Sequence, residues 1–251
     1  MLVMGILNVT PDSFADGGRH NDFEAAVEHG LEMIAEGVDI IDIGGESTRP
    51  GAERVSETEE IARTIPVIKE LSKHRVTISI DTMRASTAEA AIKAGASIIN
   101  DVSGGLADVA MLQTAAQLQV PYIAMHWRGH AKEMNSKAIY GDVVVDVISE
   151  LNERIEAALD VGIHRNKLII DPGIGFAKEA EHNWAIIESI DRIVAMGYPV
   201  LVGASRKRFL GGDSPDEREQ ATIELTKRLS STGVWAVRVH SVKPHKQVLS
   251  S

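Results

Sequence analysis

Cysteine is absent from the 251 residues. That excludes disulfides, thiolate metal sites and cysteine nucleophiles together. Long apolar runs are missing too: no stretch reaches the ~18 residues that a membrane span requires. Met1 leads straight into LVMGIL, with no basic segment or cleavage site around it, so no secretory leader is read there. These absences make a cytoplasmic protein the expectation. Positive charge is scarce, with 26 Lys and Arg against 36 Asp and Glu and a net charge of −10. A broad nucleic-acid surface needs the opposite balance, so any anionic ligand must be held by a local cluster of cations. No linker-like or low-complexity stretch divides the chain, and the dispersed histidines show no HExxH-like metal spacing.

What is present is a repeated alternation. Hydrophobic content of 44% suffices to bury a core, and α/β barrels reach this length as one domain. Eight short apolar runs, LVMGIL, VDIIDIG, VTISID, ASIIND, PYIAMH, KLIID, PVLVG and VWAVRVH, alternate with Ala- and Leu-rich segments. Continuous apolar runs suit parallel strands buried on both faces. Residues 22–36, 56–74, 142–161 and 180–196 have amphipathic helical spacing; Ser56 with Glu59 reads as a capping box, and Gly37, Gly95, Gly162 and Gly197 as helix stops. Eight βα units predict a (β/α)8 TIM barrel, one domain over residues 1–251, although pattern alone also allows a doubly wound sheet.

A barrel gathers its chemistry at the C-terminal ends of its strands, and all eight ends here are polar: Asn8, Arg49 in GGESTRP, Asp81, Asn100 with Asp101, His126, Asp171, Lys207, and Arg238 with His240. Arg238 and His240 share one strand face with Ala236, and a guanidinium on a buried face demands an anion. Asp81, Asn100 and Asp171 suit a ligand rich in N–H donors, such as an amino-substituted heterocycle; each also reads as a helix cap or a partner for loop amides. Lys207 reads as a Schiff-base nucleophile, a phosphate clamp, a donor to a carbonyl, or a solvated loop lysine between Arg206 and Arg208. Asn8 offers one oxygen to a hard cation such as Mg2+, with ligand phosphates and water supplying the rest. His126 and Trp127 read as a packing pair outside the site, and Glu46 as a base or a residue that orders its loop. The loops NVTPDSFADGGRH and GGESTRPGAERV, carrying Phe14 and Arg49, read as a lid for a second substrate, or as packed Ω-loops.

MGILNVTPDSFADGG, IDIGGESTRPGA, SIDTMR, IINDVSGG, MHW, DPGIGFAK, LVGASRKRF and VRVH, in this order from Met4 to Val242, together resemble the dihydropteroate synthase family of folate biosynthesis. The resemblance implies the same barrel. It also implies condensation of 6-hydroxymethyl-7,8-dihydropterin diphosphate with p-aminobenzoate, with Mg2+ as cofactor, in a homodimer that sulfonamides inhibit. By the same resemblance, Arg238 and His240 bind the diphosphate, with Asn8 helping through Mg2+. Asp81, Asn100, Asp171 and Lys207 meet the pterin, and Lys207, Arg238 and His240 carry the catalysis. Phe14, Thr48, Arg49, Pro50, Phe176 and Ser205 lie near p-aminobenzoate, with Asp16 on the closing first loop. Ser241 stands where the family commonly has aspartate, and only eleven residues follow His240, with Pro244 among them. A shortened closing helix is therefore expected, as in a trimmed chain or a domain cut from a larger folate enzyme. A pterin-dependent methyltransferase and an inactive pterin-binding homologue are the alternative readings.

Overall fold

The computed structural model describes residues 1–10, 18–46, 54–130 and 133–250. Eight parallel strands form the sheet: β1 (Leu2–Asn8), β2 (Ile40–Gly44), β3 (Thr77–Asp81), β4 (Ile98–Asp101), β5 (Tyr122–Met125), β6 (Leu168–Asp171), β7 (Leu201–Val202) and β8 (Ala236–Val239). Their spatial order is β6-β5-β4-β3-β2-β1-β8-β7. The remaining seam between β6 and β7 is bridged by Ile170 and Val200 and by the Ile170 N–H on the Pro199 carbonyl at 2.9 Å. The expected (β/α)8 barrel is therefore present, nearly closed, and all eight apolar runs are its strands.

Around it run α1 (Gly18–Ala35), α2 (Glu57–Leu71), α3 (Ala85–Ala94), α4 (Met111–Leu118), α5 (Val143–Asp160), α6 (Ala180–Glu188), α7 (Ile190–Val194), α8 (Glu217–Leu229) and α9 (Val242–Ser250). Ser56 caps α2 by accepting the Glu59 N–H at 3.2 Å. The single helix expected over residues 180–196 is instead broken at Ser189 into α6 and α7. Pro244 does not prevent a closing helix. It occupies the first turn of α9, where no intrahelical N–H is lost.

Alternation along each strand builds two apolar surfaces. Residues such as Ile41, Ile43, Ile80, Ile99, Ile170 and Val237 face the helices. Met4, Ile40, Ile98, Ile123, Ile169, Leu201 and Ala236 fill the barrel's floor as a separate cluster. Each fully buried aliphatic side chain of this kind contributes about 1.5–3 kcal/mol. Two residues further along the same strand faces stand Ile6, Asp42, Asn100, Met125, Asp171, Gly203 and Arg238. This second layer opens towards the C-terminal mouth.

Candidate active site

Arg238 stands at the centre of the polar layer, and its anions are part of the protein. Its Nε–H donates to Asp42 Oδ2 at 2.6 Å and its Nη2 to Asp81 Oδ2 at 2.7 Å. The anions that a guanidinium on a buried face demands thus include two carboxylates of the protein, from β2 and β3. They use two of its five N–H bonds, leaving the others for a ligand. Burial works against the charge on Arg238, and Asp42 and Asp81 more than offset it, raising its pKa. Burial, Asp42, Glu60 and Asp101 push Asp81 up to about 7 against the pull of Arg238.

Asp42 was not among the candidates from sequence, yet it organises the layer. Its Oδ2 also accepts the Asn100 side-chain Nδ2–H at 2.9 Å, and the residue is fully buried. That donation fixes the Asn100 amide, so its oxygen is the atom offered to a ligand. The signal was a lone Asp in the apolar run IIDIG, the same kind of signal that marked Arg238.

Asn8, Asn100, Asp171, Lys207, Arg238 and His240 line one cavity of about 800 Å³, together with Phe176, Lys178 and Ser205. Asp81 is not among the lining residues and meets the cavity's Arg238 through its carboxylate. Asp171 accepts the Gly173 N–H at 2.7 Å, so the loop-amide reading of this residue holds alongside its place on the wall. Burial raises its pKa, and the Gly173 N–H, Lys207 and Arg238 oppose that. Lys207 is no solvated loop lysine. Its Nζ donates to the Ile174 carbonyl and lies 4.5 Å from the centre of the Phe176 ring. Burial, opposed by Asp171 and aided by Arg238, lowers it to about 8. Its neighbour Arg206, also on the cavity lining, is bonded to Glu219 at 2.6 Å and Ser241 at 2.8 Å.

His240 and Ser205 bond each other twice. The His240 backbone N–H donates to Ser205 Oγ at 3.2 Å, and that hydroxyl reaches His240 Nδ1 at 2.9 Å. These two bonds fix the orientation of the His240 ring. The structure therefore sets Ser205 beside His240.

His126 does not pack on Trp127. It is buried, with Nε2 at 2.9 Å from Glu150 and Nδ1 at 2.8 Å from Lys178 Nζ, while Trp127 meets His130 edge-on at 5.0 Å. Burial, then Lys178, lowers His126 to about 4. Burial lowers Lys178 to about 7, with Asp171 opposing and Lys207 and Arg128 assisting. Glu46 orders its loop, as one of its two readings held: it accepts from Arg54 Nε at 3.0 Å, the Val55 N–H at 3.2 Å and Arg84 Nη1 at 2.9 Å. Phe14, Asp16, Thr48, Arg49 and Pro50 lie outside the described residues.

Similarity to known proteins agrees with this geometry. A family model described as pterin binding enzyme matches residues 4–240. Dihydropteroate synthase of Mycobacterium leprae is 48% identical over 251 residues, covering 96% of this chain and 88% of that protein. The solved structure of the Xanthomonas albilineans dihydropteroate synthase with 4-aminobenzoic acid superposes with a TM-score of 0.93 at 42% identity, covering 99% of this chain and 90% of the other. The same enzyme in complex with 7,8-dihydropteroate gives 0.89 at 39% identity, covering 99% and 91%. The chain belongs to the dihydropteroate synthase family of pterin binding enzymes.

Proposed function

We propose that this barrel condenses 6-hydroxymethyl-7,8-dihydropterin diphosphate with p-aminobenzoate, giving 7,8-dihydropteroate and pyrophosphate. The observation that carries this reading is the cavity's division of labour. Acceptors for N–H groups, Asp171 and the Asn100 oxygen, share one wall with the donors Arg238 and His240. A ligand with an N–H-rich ring and an anionic leaving group satisfies both sets.

In the reaction the bond between the pterin methylene carbon and the diphosphate oxygen breaks, and the arylamine nitrogen bonds to that carbon and loses a proton. The dihydropterin ring can delocalise positive charge from the methylene carbon, so departure of the diphosphate runs ahead of nitrogen attack. Charge grows on the leaving oxygen. The remaining N–H bonds of Arg238 and the imidazole of His240 stabilise it, held in place by Asp42, Asp81 and Ser205 before substrate arrives. Lys207 turns from the Ile174 carbonyl to the pterin carbonyl, and Asp171 with Asn100 takes the ring N–H and amino groups. A neutral arylamine needs no strong base. Phe176, on the wall beside Lys207, offers the flat arylamine an aromatic face. Phe14, Thr48, Arg49, Pro50 and Asp16 are assigned to the arylamine site and its closing loops on the family resemblance alone.

Among the described residues no cluster of three or more His, Asp or Glu side chains could hold a metal ion by itself. The single hard oxygen of Asn8 on the cavity wall fits Mg2+ that arrives with the diphosphate, which would supply its other ligands. Bound there, the ion adds positive charge against the departing pyrophosphate. No helix among the described residues is long and apolar enough to cross a membrane. A cytoplasmic homodimer is carried over from the sequence reading, and sedimentation of the purified protein checks the dimer.

Pyrophosphate release from the dihydropterin diphosphate and Mg2+, with and without p-aminobenzoate, tests the function. Release that depends on p-aminobenzoate, with dihydropteroate appearing in step, is expected. Pterin binding without any release overturns the reading in favour of an inactive homologue.

A further inference from the structure

The turn after β6 carries two of the cavity's side chains, Asp171 at its start and Phe176 at its end. Its backbone is not one that most sequences adopt. Gly173, Gly175 and Ala177 all have positive φ, at 67°, 79° and 48°, and the last of these is not glycine. A Cβ at Gly173 would collide with the His126 carbonyl oxygen. Such a turn must be held by its surroundings.

Two lysines of the cavity lining hold it. Lys207 reaches it from the cavity, through the Ile174 carbonyl and the Phe176 ring. Lys178, buried although it too lines the cavity, holds it by its backbone. Its Nζ donates to the Gly173 carbonyl at 3.0 Å and to the Phe176 carbonyl at 3.1 Å, and its third neighbour is His126 Nδ1 at 2.8 Å. Three acceptors match the three protons of the ammonium, the form that Lys178 holds below about pH 7. His126 can accept from Lys178 only as the tautomer protonated on Nε2, and Glu150, 2.9 Å from Nε2, selects that tautomer. Arg128 in turn bonds both Glu150 oxygens. The chain Arg128–Glu150–His126–Lys178 thus runs from a half-exposed carboxylate to two carbonyls of the turn.

The two lysines have different fates when substrate binds. Lys207 gives one proton to the Ile174 carbonyl and has others to turn to the pterin, whereas the three protons of the Lys178 ammonium all have acceptors in the protein. We propose that Lys178 is a positioning residue, which keeps the Gly173–Phe176 turn in shape while Lys207 is engaged, so that the Phe176 ring stays where the arylamine binds. This rests on the condensation proposed above and on the place of Phe176 in it. In this role the donors of Lys178 stay on protein acceptors and not on the reacting atoms. Its effect is therefore selective for the second substrate and not general.

Lys178→Met keeps the length of the side chain and removes all three donors. The expected result is a KM for p-aminobenzoate raised tenfold or more, a turnover number lowered less than threefold, and an affinity for the dihydropterin diphosphate, titrated without p-aminobenzoate, within threefold of wild type. A merely structural role would lower the active fraction and leave both substrate constants alone. Glu150→Gln, which disturbs only the outer end of the chain, covers the case in which Lys178→Met does not fold, and should raise the same KM about threefold. Unchanged p-aminobenzoate KM in Glu150→Gln and in any folded Lys178→Met, or equal loss of both substrates, overturns the proposal. Wild-type protein that releases no pyrophosphate at all would instead overturn the functional reading on which it stands.

Discussion

Ile169 and Asp171 lie on the same face of β6, two residues apart, and the barrel treats them in opposite ways. Ile169 joins Met4, Ile40, Ile98, Ile123, Leu201 and Ala236 in a floor with no polar atom in its side chains. Asp171 belongs to the layer above, where Asp42, Asn100 and Arg238 are bonded into one network. The same step separates Ile40 from Asp42, Ile98 from Asn100, and Ala236 from Arg238. One layer stabilises by excluding water, which is non-directional and tolerant of shape-preserving exchange. The other buries charge, which costs folding free energy unless every partner is kept. Placing the two back to back lets the floor offset the cost of the site while contributing nothing to its chemistry.

The largest effect is expected at the centre of the upper layer. Arg238→Ala removes a donor aimed at the leaving group and should lower the turnover number by about 10²–10³, with a smaller change in pterin affinity. It also leaves Asp42 and Asp81 buried without their cation, which costs on the order of 3–5 kcal/mol. Single-turnover kinetics and thermal unfolding read the two effects separately, and an unchanged turnover number would break the assignment.

Asp42→Asn keeps the shape and removes the charge that orients Arg238 and Asn100. A displacement of these groups by an ångström or so is expected to cost up to about 10² in kcat/KM for the pterin substrate, with little change in the KM for p-aminobenzoate. Equal effects on both would mean that Asp42 serves stability alone.

Ile169→Ala probes the floor. Unfolding free energy should fall by about 2–5 kcal/mol, while both KM values stay within about twofold of wild type, as the separation of packing from chemistry requires.

A smaller effect concerns pH. Burial holds Lys207 at about 8, so its ammonium is present below that pH and is lost as pH rises through it. Arginine does not lose its charge in this range. The kcat/KM of Lys207→Arg relative to wild type should therefore rise roughly fivefold between pH 8 and pH 9. A flat ratio would show that the charge of Lys207 is not used.

How much of this was legible in the sequence follows the same division. The floor and the outer strand faces were readable because burial on both sides leaves short unbroken apolar stretches, as in ASIIND and KLIID, and the barrel followed from their number. Strand ends were readable because polar residues there interrupt an apolar rhythm. The interruption at Ser189 between α6 and α7 leaves no such mark, since residues 180–196 keep an amphipathic spacing across it. Lys178 escaped for a different reason. Its partner His126 is 52 positions away, and a pairing across a barrel has no local pattern. Asp42 had a signal in IIDIG, but its meaning depended on which anion Arg238 finds, and only the register of β8, β1, β2 and β3 brings Asp42 and Asp81 to it.

The most direct test of the two-layer account is calorimetric titration of the dihydropterin diphosphate into wild type, Asp171→Asn and Ile169→Ala. The account predicts that Asp171→Asn loses roughly tenfold or more in affinity, the order expected for a charge-assisted hydrogen bond, while Ile169→Ala binds as wild type does. Equal losses in the two variants, or none in Asp171→Asn, would contradict it.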